Sequence, residues 1–124
     1  MIALSQRVHI FARPGSEGEL TEFFTSVLGC KARISSDAPG FSLPIKAFVF
    51  PNGASLSIEF TEDALDEKQA LRGAWFELKT DDPSALQKKV LDAGLRRVEY
   101  LGNDFFYFQA PGGQVLRIAS LNED

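Results

Sequence analysis

The chain reads as an α+β fold of two tandem βαβββ modules. Each module is a curved antiparallel-type mixed sheet with one helix outside it, and the sheets surround a cavity. Three observations predict this. The order strand, helix, three strands occurs twice, so the pattern repeats after about 60 residues with little identity. Each half carries one amphipathic helix stopped by a glycine, Gly29 in the first and Gly94 in the second. The length, 124 residues, suits a single domain that buries its own core. We read one domain over residues 1–124, with modules at about 5–62 and 73–121.

Residues 7–13 alternate: Val8, Ile10 and Ala12 point one way and His9, Phe11 and Arg13 the other. Pro14-Gly15 ends this strand. Ser16 and Glu19 have capping-box spacing, and Leu20, Phe23, Phe24, Val27 and Leu28 then form a core-facing helical stripe. Residues 30–35 are a weaker strand. The loop over residues 36–44, with Asp37, Pro39 and Gly40, is a candidate lid. Phe41, Leu43 and Phe48 are candidates for that lid or for an interface. Residues 45–50 and 54–60 form a hairpin across Pro51-Asn52-Gly53. Residues 61–72 are a polar connector with room for one helical turn. Residues 73–80 alternate as the fifth strand. Asp82 caps a helix with Pro83 at its first position, and Leu86, Val90 and Leu91 supply its apolar face. Three short strands close the chain at residues 97–101, 105–109 and 114–120.

A helix covers only one face of each sheet. The faces turned away from the helices carry His9, Phe11, Ser57, Glu59, Trp75, Glu77, Val115 and Arg117, with Phe105 or Tyr107 added from the seventh strand. Charged groups among aromatic ones make a poor dry core, because buried charges need partners. They make a suitable wall for a ligand cavity.

Composition narrows the chemistry. Hydrophobic residues are 44% and charged residues 24%, the mix of a water-exposed globular domain. The net charge of -4 argues against a nucleic-acid partner, which needs a Lys/Arg surplus. No apolar run approaches the roughly 18 residues of a membrane span, and no signal peptide is evident, so a reducing cytoplasm is expected. One Cys excludes an internal disulfide, and one His excludes any site needing two histidines from a single chain. Cys30 follows a helix C-terminus, where the dipole disfavours a thiolate nucleophile.

Four phrases, in order, resemble the vicinal oxygen chelate superfamily of glyoxalases, bleomycin-resistance proteins, fosfomycin-resistance enzymes and extradiol dioxygenases. They are FFTSVLG (23–29), FPNGASLSIEF (50–60), KTDDPSALQKKVLDAG (79–94) and FYFQAPGGQVLRI (106–118). The last departs from the usual Asp-Pro-x-Gly by placing Ala110 where the Asp stands. In metal-using members the resemblance implies one ligand from each of the first, fourth, fifth and eighth strands. His9 and Glu59 match the first two positions in type. The other two fall on Trp75, whose indole is only a donor, and on Arg117, a permanent cation. The usual metal site is therefore not expected. A variant divalent-metal site at His9, Glu59 and Glu77 is the alternative, although Glu77 stands about 6.6 Å further along its strand.

The favoured reading is a metal-independent small-molecule-binding protein without a cofactor, resembling the bleomycin-resistance branch. It would sequester an aromatic or anionic ligand with His9, Phe11, Ser57, Glu59, Trp75, Glu77, Tyr107 and Arg117. Arg117 has two possible partners here: a ligand anion, or an internal carboxylate of Glu59 or Glu77. The alternative is a lyase- or dioxygenase-like enzyme, with the variant metal site or with His9 as acid/base and Glu59 as its orienter. The resemblance also implies a homodimer.

Overall fold

A computed structural model describes residues 1–36, 40, 42–100, 102 and 104–123. Asp37, Pro39 and Phe41 of the expected lid lie outside the described residues. The chain divides into two compact units, Met1–Leu65 and Asp66–Asp124, with the boundary inside the expected connector.

The first unit holds a four-stranded sheet built from β1 (Arg7–Ala12), β2 (Lys31–Ser36), β3 (Ile45–Val49) and β4 (Ser55–Phe60), in the order β1-β4-β3-β2. β1 and β4 run parallel, and the other pairs are antiparallel. Leu56, Ile58 and Phe60 of β4 are all buried, so period-two alternation assigned their face correctly. Against that face packs helix α1 (Glu17–Glu22), which continues as a π-helical turn over Phe23–Val27. The Phe24 ring lies 5.2 Å from that of Phe48 on β3. Phe48 is fully buried, so it belongs to the core rather than to a lid or interface. Glu17 on α1 pairs with Lys46 on β3, pinning the helix start to the sheet.

The expected capping box at Ser16 and Glu19 is absent. Pro14–Ser16 form a 3-10 turn that runs straight into α1. Ser16 therefore has helical dihedrals (φ -90°, ψ -4°) instead of the extended ones a capping side chain needs. Its hydroxyl donates back to the Arg13 carbonyl at 2.8 Å. A true capping box occurs where only a polar connector was expected. Asp66 and Gln69 satisfy each other's backbone amides at the start of the short helix α2 (Glu67–Ala70).

The second unit repeats the first. β5 (Trp75–Thr80), β6 (Arg97–Val98), β7 (Phe106–Gln109) and β8 (Val115–Ser120) form a sheet in the order β5-β8-β7-β6, with β5 and β8 parallel. Helix α3 (Pro83–Asp92) is capped by Asp82, whose carboxylate accepts the Ala85 amide at 3.1 Å, and it buries Val90. β8 is a central strand and is covered on both faces. Val115 and Leu116 are equally inaccessible, so Val115 belongs to the core and not to an open wall.

Candidate functional site

The eight residues singled out from the sequence fall into two groups, one on each sheet. In the first unit, the parallel register of β1 on β4 sets His9 beside Ser57 and Phe11 beside Glu59, all on the face opposite α1. His9 Nε2 lies 3.1 Å from Glu59 Oε1. The Phe11 ring meets the imidazole edge-on at 5.1 Å. Phe11 is itself 54% exposed, a large apolar side chain left at the surface beside an ionisable pair.

In the second unit, β8 carries Arg117 between two neighbours in register, Glu77 on β5 and Tyr107 on β7. Its Nη1 donates to Glu77 Oε2 at 2.8 Å, and its Nη2 donates to Glu123 Oε1 at 2.5 Å. Phe105 stacks on the guanidinium, 3.6 Å from carbon to ring centre. The Glu123 hydrogen bond, with Glu77 adding to it and burial opposing, holds Arg117 above its ordinary range, so it stays charged. The Nε–H is buried with no hydrogen-bond partner among the described residues.

Next to Arg117 is an aromatic cluster. Trp75 stands 5.0 Å from both Tyr107 and Tyr100, and the two tyrosines are 5.7 Å apart. The Trp75 indole N–H donates to the Leu71 carbonyl at 3.1 Å, which fixes the ring. Tyr100 and Glu123 were missed by sequence reasoning. Tyr100 falls inside the strand expected over residues 97–101, but β6 is only Arg97–Val98, so alternation along it does not place Tyr100, and Glu123 lies past the last strand.

The residues do not fit the four-ligand metal centre of the resembling superfamily. At the fifth-strand position an indole N–H is already donating. At the eighth a guanidinium repels a cation and holds two carboxylates. The alternative ligand Glu77 is one of those two. No group of three or more His, Cys, Asp or Glu side chains that could hold a metal ion occurs among the described residues.

No family model matches the chain, and no curated protein matches it. Solved structures match over nearly the full length. An antibiotic-binding protein, TnmS3 from Streptomyces sp. CB03234, is 15% identical with a TM-score of 0.67, covering 96% of each chain. The fosfomycin resistance protein FosX from Mesorhizobium loti is 18% identical with a TM-score of 0.68, covering 95% of this chain and 91% of that one. A glyoxalase family protein from Bacillus anthracis is 15% identical with a TM-score of 0.69, covering 97% of this chain and 96% of that one. The chain therefore shares the tandem βαβββ fold of these proteins. Fold alone does not carry function.

Proposed function

We propose that this chain is a small-molecule-binding protein that holds a planar aromatic ligand without a metal ion. The observation that carries the reading is the cluster of Trp75, Tyr100 and Tyr107 on the Arg117 side of the second sheet. Fixed rings give apolar contact area with little rotamer entropy to lose. Metal independence is supported by donor chemistry, since Trp75 and Arg117 stand at two positions where the resemblance implies ligands. That a protein of this fold binds an antibiotic makes a binding role reasonable for this chain. We further propose that the two modules act as one domain, that the chain forms a homodimer, and that it works in a reducing cytoplasm, where the buried Cys30 thiol is stable. No helix among the described residues is long and apolar enough to cross a membrane.

A thermal-shift screen of planar aromatic compounds tests the reading. A ligand at 100 times its Kd stabilises the fold by about 2.7 kcal/mol, a rise of several degrees in Tm. We expect such shifts in the wild type, and a marked reduction in Trp75→Ala and Tyr107→Ala. No shift in the wild type, or the same shift in folded variants, overturns the proposal.

The hydrogen-bonded pair of His9 and Glu59 favours a second reading, an acid/base enzyme in which Glu59 orients the imidazole. Turnover of a bound compound that disappears in His9→Ala with binding intact would establish it.

A further inference from the structure

We propose that the Nε–Nη2 edge of Arg117 is a carboxylate site, filled here by the chain's own Glu123 and taken over by the carboxylate of an aromatic ligand. The inference rests on the reading above and names its ligand class.

A guanidinium edge presents two parallel N–H donors, the geometry that matches a carboxylate. In Arg117, Nη2 shares its edge with Nε–H. Glu123 satisfies only half of that edge, since Oε1 accepts from Nη2 while Nε–H is buried without a partner among the described residues. A buried donor left unpaired is costly, and a carboxylate spanning both nitrogens removes that cost. Phe105 stacks on the face and Glu77 occupies Nη1, so Nε and Nη2 are the donors left for such a partner once Glu123 withdraws.

Glu123 is also suited to leave. It lies beyond β8 on a short turn held by the Glu123 amide to Ser120, the Leu121 amide to Thr80, and Lys79 Nζ to the Glu123 carbonyl at 2.6 Å. Leu121 and Lys79 are exposed, so water replaces these bonds when the turn opens. Tyr107 is the cross-strand neighbour of Arg117, and Trp75 adjoins Tyr107. A ligand whose carboxylate meets Arg117 thus has its ring beside the aromatic cluster.

The test is a titration with 2-naphthoate and its neutral analogue 2-naphthamide. The readout is the indole N–H resonance of Trp75, which is unassisted by assignment because the chain has one tryptophan. Glu123→Gln is expected to tighten 2-naphthoate binding by about tenfold and leave 2-naphthamide unchanged. Glu77→Gln removes the same charge but frees Nη1, off the Nε edge, and is expected to give a clearly smaller gain. Arg117→Lys in the Glu123→Gln background is expected to abolish the preference for the carboxylate while 2-naphthamide still binds. An unchanged or weaker affinity for 2-naphthoate in Glu123→Gln overturns the inference, as does an equal gain in Glu77→Gln, which would be a simple charge effect. In either case 2-naphthamide binding leaves the aromatic-binding reading standing. If neither compound moves the indole resonance in any variant, that reading falls and the inference with it.

Discussion

Cys30 lies behind the end of the first helix, 6% exposed, with its amide donating to the Phe24 carbonyl. Loss of water around the sulfur pushes the thiol up to about 12. The thiolate is the reactive form, so the folded protein should resist iodoacetamide at pH 8 and be alkylated promptly once denatured. Prompt alkylation of the folded chain would contradict this burial. Glu17 shifts the other way. Its hydrogen bond to Lys46 outweighs burial and holds the carboxyl below its ordinary 4.5. A depressed carboxyl stabilises the fold above its unfolded value and loses that contribution as pH falls through its folded value. Wild type should therefore exceed Glu17→Gln by roughly 0.5–1 kcal/mol at neutral pH, and the gap should close on acidification below 4.5. Urea unfolding of both proteins from pH 7 to pH 3 measures it, and a gap that persists at pH 3 would assign the difference to packing. The same scale shows what alternation makes readable. His9 and Glu59 were placed on one face from their spacing, and they meet at 3.1 Å. Glu77 was one of the two internal partners expected for Arg117, and it is one of two found. Glu123 was not legible, because its place depends on a turn after β8 and not on any strand period.

The elements show a similar division. Apolar spacing located both principal helices and the buried face of β4, since burial in a helix or strand follows a fixed period. Caps were less legible because a cap needs a particular backbone entry angle as well as a residue type. Ser16 has the right side chain on a backbone that is already helical, whereas Asp66 is extended (φ -75°, ψ 176°) and caps. What makes α2 necessary lies across from it. Gln109 donates to the Glu67 carbonyl at 2.7 Å and to the Gly113 carbonyl at 3.0 Å, tying α2 to the turn between β7 and β8. Gly113 has φ +102°, and a Cβ there would stand 3.2 Å from the Ala70 Cβ and 3.5 Å from the Glu67 backbone. Gly113→Ala thus meets backbone strain and crowding together, and should cost about 1–3 kcal/mol. Asp66→Ala loses the cap alone and should cost about 1 kcal/mol. Denaturant midpoints measure both. If Gly113→Ala is as stable as wild type, the α2 contact is not tight.

Across the whole molecule, the two units repeat a topology but not a chemistry. The open face of the first sheet keeps an imidazole and a carboxylate in contact. On the second sheet the corresponding strands carry an engaged indole and a guanidinium between two carboxylates. One nitrogen and one oxygen donor are a weak hold on a divalent ion, which a stable protein site surrounds with further ligands. A resident ion at 100 times its Kd would contribute about 2.7 kcal/mol to stability, and its removal would be visible as a large fall in Tm. For this chain, EDTA treatment followed by dialysis should leave Tm and 2-naphthamide binding unchanged. Elemental analysis for zinc, nickel, manganese and iron should find well below one equivalent. The net charge of -4 attracts cations weakly to the surface, so a trace of metal is expected at low salt and should wash out at about 0.5 M NaCl, where the Debye length is shorter than at physiological salt. Near-stoichiometric metal that survives that wash and is lost in His9→Ala would overturn the metal-independent reading. It would move the proposed site from the aromatic cluster of the second unit to the His9 and Glu59 pair of the first.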